Sequence, residues 1–268
     1  MELTDLTIEN DIVTTVFNNG ASVWKGRYLV GADGPRSEVR SFLVPPGTSE
    51  LHPSPITVFN FGASFNEKEA HYLRNKIHSV ATLAPHPEQK TYFFLTHVPN
   101  PEAPETWLFQ VSLSFWNEGE QPQTFEDRMR IFKKLGANYC EPYRSVVSWV
   151  NEDIKIPLDH FATWKNIQPW KNYGGKVTIA GDAAHPMVPY RAQGLNNALE
   201  DAGHYVRAIT SVVNGKGNLS SIMEAYDADA YNRGKNDMTT SDEQMYACHH
   251  WDALMKTPLI TDGFTKRQ

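Results

Sequence analysis

From Ile12 to Phe17 apolar and polar residues alternate as in a half-buried strand, Asn18-Asn19-Gly20 supplies a hairpin turn, and Ser22 to Lys25 resumes the alternation. That pattern predicts paired antiparallel strands. Arg27 to Ala32 (RYLVGA) is short and apolar and runs into Asp33-Gly34-Pro35, so it reads as a buried strand delivering a polar turn to a sheet edge. From about Leu51 the apolar runs become aromatic. Thr57 to Phe61, Thr91 to Leu95 and Trp107 to Leu113 read as neighbouring strands of one sheet, separated by loops such as Ala84-Pro85-His86-Pro87 and Pro99-Asn100-Pro101. Between them Glu67 to His78 has helical composition. After them Thr124 stands as the N-cap of a helix with Phe125, Met129 and Phe132 on one face.

The last third returns to an α/β rhythm. Lys176 to Ala180 is a buried strand ended by Gly181-Asp182, and a helix begins near Gly194. Leu195, Ala198, Leu199, Ala202, Val206 and Ile209 fall at helical spacing, an apolar stripe expected to face the sheet. The polar segment from Ser220 is expected to form a helix across the outside. Two α/β pieces thus flank an aromatic sheet, a mixed α/β and α+β pattern without internal repeats.

Composition narrows the classes. The chain has 268 residues, 40% hydrophobic, 12% aromatic and 21% charged, which excludes wholesale disorder and suits one large or two small domains. Thirty-one acidic against 25 basic residues leave a formal charge of −6 with no basic run, so electrostatic capture of nucleic acid is not expected. There is no long apolar run, and MELTDLTIEN lacks the basic head and apolar middle of a secretory signal, so a cytoplasmic protein without a membrane span is expected. Cys140 and Cys248 are too isolated for a metal site and are expected as reduced, packed thiols.

The chemistry concentrates between Gly181 and Ala202, GDAAHPMVPYRAQGLNNALEDA. A carboxylate at the end of a strand, as Asp182 would be, accepts hydrogen bonds from sugar-like hydroxyls. The amides from Gly194 onward are unsatisfied donors at a positive helix terminus, suited to an electron-rich or anionic edge. A flavin ring meets that description. Taken singly, Asp182 could merely cap a turn and Gly194 merely start a helix; their combination is what points to a ligand.

This stretch resembles the Gly-Asp motif of class A flavoprotein monooxygenases, the para-hydroxybenzoate hydroxylase-like group and its fungal salicylate-hydroxylase-like members. Tyr28 to Arg40, YLVGADGPRSEVR, resembles the same family's Asp-Gly motif, with Asp33, Gly34, Ser37 and Arg40 at the motif positions. The resemblance implies a partial FAD/NAD(P)-binding Rossmann-like domain with an inserted, mainly antiparallel substrate sheet: residues 1–50 and 164–268 as two parts of the FAD-binding domain, and 51–163 as the substrate domain. It implies FAD as cofactor, NAD(P)H as co-substrate, and hydroxylation by O₂ of a small aromatic or polyketide-like substrate bound over the sheet. It places Asp182 at the ribityl chain, Gly194, Leu195 and Asn196 with their backbone groups at the ring, and Gly181, with Asp33, Gly34 and Ser37, among the cofactor-binding residues. Pro189 falls near the ring's reacting face, and Arg40 is the candidate partner of a pyrophosphate, against the plainer alternative of a surface ion pair. His185 is expected to be structural. Pro189, Tyr190 and Arg191 are the catalytic candidates, the latter two either facing substrate or covering the cofactor. Aromatics such as Phe59, Phe61, Phe93, Phe94 and Trp107 are either pocket walls or, more in keeping with such runs, core.

The chain departs from the family pattern before Asp33. Gly20, Gly26 and Gly31 cannot form a GxGxxG fingerprint, and the 32 preceding residues are occupied by hairpin strands. Such a chain is expected to be a family member without its first dinucleotide-binding unit, which is supplied by a companion chain, missing from an incomplete gene product, or lost in a protein that works without tightly bound FAD. Two competing functions stay open: a catalytically degenerate binding subunit, and a cofactor-free cyclase or isomerase.

Overall fold

The computed structural model describes residues 2–98, 100 and 103–261. Pro99 and Pro101 of the expected loop lie outside the described residues. In chain order the strands and α-helices are β1 (Leu3–Glu9), β2 (Ile12–Phe17), β3 (Ser22–Gly26), β4 (Leu29–Gly31), α1 (Glu38–Leu43), β5 (His52–Pro53), β6 (Ile56–Ala63), α2 (Glu67–Lys76), β7 (Thr82–Pro85), β8 (Thr91–Val98), β9 (Leu108–Trp116), α3 (Phe125–Gly136), α4 (Tyr143–Trp149), β10 (Ala162–Thr163), β11 (Val177–Ile179), α5 (Gly194–Val213), α6 (Leu219–His249), α7 (Trp251–Leu254) and α8 (Pro258–Thr261). They divide into two units, Met1–Ser54 with Ala162–Gln244, and Pro55–Phe161 with the described part of Met245–Gln268.

In the first unit β1, β2 and β3 form an antiparallel meander. β1 is an addition to the sequence-based expectation: Leu3 and Leu6 turn inward, and Asn10 and Asp11, both left-handed, close the hairpin to β2. β4 runs parallel to β11, with Leu29 beside Val177 and Gly31 beside Ile179. Gly31 is required there, because a Cβ would lie 2.6 Å from Cβ of Val39 on α1. The core gathers Val39, Leu43, Trp164, Val177, Ile179, Ala183 and Ala230. The helix expected after Ser220 is α6, which buries one face through Met223, Tyr226, Ala230 and Met238. At Gly234 this helix comes so close that a Cβ would sit 2.6 Å from Cβ of His185.

The second unit is built on a four-stranded antiparallel sheet in the order β6-β9-β8-β7. The strand period of two decides which aromatics are core. Phe59, Leu113 and Phe93 lie in register, as do Phe61, Val111 and Leu95, and this face is covered by Leu73 of α2, Met129 and Phe132 of α3, and Val146 and Val147 of α4. Phe132 meets Phe61 edge to face at 5.3 Å. Phe59, Phe61, Phe93 and Trp107 are therefore core residues; Phe94 is on the opposite face, half-buried, beside Ser112 and near Asn60 and Gln110. Thr124 caps α3 as expected, accepting from the Asp127 amide at 3.1 Å, but Phe125 is exposed, with the Arg128 guanidinium 5.0 Å above its ring. Cys248 is buried, whereas Cys140, expected to be packed, is exposed because it sits in the turn between α3 and α4.

The last turn of α6, Met245 to His249, belongs to this second unit. Its buried His249 donates from Nδ1 to the Met245 carbonyl at 2.8 Å, which leaves Nε2 to accept from the Ser114 hydroxyl at 2.9 Å. Burial, reinforced by the neighbouring His250, pushes its pKa down from 6.5 to about 4. As pH falls through about 6.5 the unfolded chain takes a proton that the folded site refuses, so stability falls until about pH 4, by on the order of 3 kcal/mol in total. Denaturant unfolding at a series of pH values should show this segment in the wild type and lose it in His249→Gln; identical profiles would contradict the assignment.

Candidate functional site

Ala180 links β11 to Gly181, a glycine with φ of +60°, and Gly181–Ala183 makes one 3₁₀ turn that carries Asp182 outward into solvent. The turn is held from below. The Gly181 amide donates to Oδ2 of buried Asp201 at 2.7 Å, and the Ala180 amide to the Gly31 carbonyl at 2.9 Å. The chain then wraps outward through Pro189–Arg191 and reverses at Ala192, left-handed at φ 53°, into α5. The result is a groove of about 1030 Å³, bordered by Gly34 after β4, Asp182 after β11, Pro189 in the loop, and Gly194, Leu195 and Tyr205 on α5.

The start of α5 supplies the chemistry. Gln193 at the N-cap makes no side-chain cap, and among the described residues none accepts from the amides of Gly194, Leu195 and Asn196. These donors sit at the positive end of a 20-residue helix. A Cβ on Gly194 would meet nothing nearer than Oδ1 of Asp182, 3.9 Å away, an ordinary contact. The fold itself therefore does not demand glycine here; its absence of a side chain keeps the space above the helix start open. A carboxylate acceptor, free amide donors and apolar walls match a flavin with its hydroxylated chain, so the residues present fit the group.

The candidates from the sequence divide accordingly. Gly34, Gly181, Asp182, Pro189, Gly194 and Leu195 border the groove. Asp33 does not act as a free ligand: its carboxylate accepts from Ser37 Oγ at 2.5 Å and from the amides of Glu38 and Val39 at 2.8 and 3.2 Å, capping α1. Ser37 is the N-cap of α1, accepting from the Arg40 amide at 2.9 Å. Arg40 requires the clearest correction. It is 1% exposed, and its guanidinium donates to the carbonyls of Ala183 at 2.8 Å, Pro35 at 2.6 Å and Ser49 at 3.1 Å, over the Trp164 ring. It is neither a surface ion pair nor open to a pyrophosphate; it ties the turn after β4 to the turn after β11. Asn196 is exposed, its side chain donating to Gln193 Oε1 at 3.2 Å, so only its amide faces the helix start. Tyr190 is half-buried in the loop, and Arg191 donates to Thr240 of α6; neither borders the groove.

Two further differences follow from packing. The stripe of α5 is not packed on a sheet: Leu195, Leu199 and Val206 are 71%, 63% and 62% exposed, and Leu195, Ala198, Ala202 and Val206 line the groove together with Val30 of β4. His185 is structural, as expected, fully buried with Nε2 2.7 Å from Asp201 Oδ2. Asp201 was not among the sequence candidates, although its position one helical turn after Asn197 marks the same face of α5. Burial opposes its ionisation, but bonds from His185, Arg233 and the Gly181 amide outweigh this and hold its carboxyl below the usual carboxylate range.

A parallel strand pair whose carboxyl ends open on an uncapped helix start is an arrangement that nucleotide-cofactor-binding folds use. Residues 2–241 match the family described as FAD binding domain, and the chain belongs to that family. It is 31% identical over 260 residues to the FAD-dependent monooxygenase phnB of Penicillium herquei, covering 95% of this chain and 62% of that protein. It is 29% identical over 266 residues to the FAD-dependent monooxygenase cctM of Talaromyces islandicus, covering 99% of this chain and 66% of that protein. The chain thus spans less than two thirds of the length of either relative. Among solved structures it resembles HpxO of Klebsiella pneumoniae complexed with FAD and uric acid, with a TM-score of 0.72 at 15% identity over 97% of this chain and 61% of that one. The 2,6-dihydroxypyridine-3-hydroxylase of Arthrobacter nicotinovorans gives 0.71 at 18% identity, over 93% and 64%. At these identities the likeness concerns the fold. No described helix is long and apolar enough to cross a membrane.

Arg40→Met should cost about 3 kcal/mol or more, since each buried carbonyl left without a donor costs roughly 1–3 kcal/mol. Urea unfolding measures this, and a loss below about 1 kcal/mol would show that Arg40 is not the tie between the two turns. Ala192→Gly should stabilise by up to about 1 kcal/mol, because it relieves a left-handed alanine.

Proposed function

We propose that the groove between Asp182 and Gly194 takes the flavin of FAD, and that the chain serves an FAD-dependent monooxygenase acting on a small aromatic or polyketide-like molecule with NAD(P)H and O₂. The observation that carries this reading is the uncapped start of α5 beside an exposed carboxylate, kept open by a glycine that the fold does not need. The two relatives named FAD-dependent monooxygenases support it.

When bound, the flavin supplies the redox chemistry, taking electrons from the nicotinamide and passing them to oxygen. The residues of the chain bind and position. Asp182 accepts from the ribityl hydroxyls; its carboxylate offers only acceptor sites. The amides of Gly194, Leu195 and Asn196 stabilise negative charge at the ring edge they face, which favours the reduced group. Leu195, Tyr205 and Pro189 exclude water along the groove, strengthening those amide interactions. For the substrate, the face of the second unit's sheet turned away from α2, α3 and α4 offers Phe94 with the neighbouring Ser112 and the hydrogen-bonded Asn60–Gln110 pair, a ring surface among donors and acceptors. No side chain is assigned as acid or base.

Titration of the flavin-free chain with FAD, followed by quenching of flavin fluorescence, should saturate. Asp182→Ala should weaken binding by roughly tenfold or more, as expected for a charge-assisted hydrogen bond, with an unchanged circular dichroism spectrum. Gly194→Val should abolish binding while the chain stays folded, since its side chain would enter the groove and not the core. Equal affinity in all three proteins would refute the placement.

A further inference from the structure

The side of α6 turned to α5 carries Asp229, Arg233 and Asp237 at successive helical turns, and Arg233 lies at the centre of a polar network within the first unit. Its Nη2 donates to Asp201 Oδ1 at 2.6 Å and Asp229 Oδ2 at 3.2 Å, and its Nη1 to Asn197 Oδ1 at 2.7 Å. Two arms leave this guanidinium. In one, the second oxygen of Asp201 accepts from the Gly181 amide at 2.7 Å and stands 2.7 Å from His185 Nε2. In the other, Asn197 Nδ2 donates to the Gln193 carbonyl at 3.1 Å and to Asp237 Oδ2 at 2.8 Å. Each arm ends on the backbone of the residue immediately before a groove-facing one: Gly181 precedes Asp182, and Gln193 precedes Gly194.

We propose that Arg233 is the positioning residue of the groove: its planar guanidinium fixes Asp201 and Asn197 relative to each other, and through them sets the gap between the Asp182 carboxylate and the open amides of α5. This deepens the flavin reading and rests on it for its functional meaning. Planarity is what the arrangement uses. Two nitrogens of one rigid fork bond two acceptors on α5 one helical turn apart, so neither can shift without breaking the other's geometry. A lysine at this position is a single donor on a flexible stem and cannot hold both. The depressed carboxyl of Asp201 accords with a permanently ionised hub, but the brace is defined by the bonds themselves.

Amide hydrogen exchange on the flavin-free chain tests the brace directly. In Arg233→Lys and Arg233→Met the Gly181 and Asn197 amides should exchange at least about tenfold faster, while those of β6, β8 and β9 keep their wild-type rates. Asn197→Ala, which cuts one arm, should speed exchange at the start of α5 and leave Gly181 protected. Unchanged protection of Gly181 in both Arg233 variants overturns the proposal, whatever FAD does; loss of protection across both units equally would make Arg233 a general stabilising residue and overturn it too. With FAD, Arg233→Met should weaken binding by about tenfold, and by much less in an Asp182→Ala background, because the brace acts through Asp182. Full additivity of the two substitutions contradicts that route. A wild-type chain that takes no FAD would sink the flavin reading alone, since the exchange result stands without it.

Discussion

The arrangement depends on one helix start left uncapped. A Ser, Thr, Asp or Asn at an N-cap contributes about 1 kcal/mol to a helix by accepting from its first-turn amides. α5 begins instead at Gln193, which makes no such bond, and then at a glycine. The donors this leaves, at the positive end of a long helix, are a standing attraction for an electron-rich group. Such a start is tolerable because α5 is anchored elsewhere: Asn197 and Asp201, both buried in its first two turns, are bonded to α6 and to the turn after β11.

The contrast with α1 makes the point sharper. There the same kind of terminus is filled by the chain itself, with Asp33 accepting from two amides and Ser37 from a third. One strand–turn–helix segment closes its helix start with its own carboxylate, whereas in the other the exposed carboxylate, Asp182, stands beside the helix start without accepting from its amides. Arg40 joins the turn after β4 to the turn after β11 through the Ala183 carbonyl, so the closed turn supports the open one. The two motifs that look alike in the sequence as ligand contacts thus differ: Asp33, Ser37 and Arg40 of the first are bonded within the fold and its Gly34 borders the groove, whereas Gly181, Asp182, Gly194 and Leu195 of the second all border it.

Much of this was legible along the chain because it is local. The alternation of β2, the apolar runs of β4 and β11, the cap at Thr124 and the Gly181-Asp182 turn each follow from a few neighbouring residues. What could not be read is set by partners far away. Period-two alternation says that Phe93 and Phe94 point in opposite directions, but only the helices α2 to α4 decide which face becomes core. Arg40 in sequence is a charge near a motif; its carbonyl partner at Ala183 is 143 positions on. The stripe of α5 has the periodicity of a buried face, yet Leu195, Ala198, Ala202 and Val206 line the groove. Asp201 looks like one of many helical acids until His185 and Arg233 are brought to it.

The most direct measurement of the central claim is the set of amide chemical shifts of the isotope-labelled chain as FAD is added. Binding at the open helix start predicts large, localised shifts at Gly181, Asp182, Gly194, Leu195 and Asn196, with the strands of the second unit's sheet core unmoved. Shifts absent from those five residues, or scattered over the surface without saturation, would show that the groove does not hold a flavin.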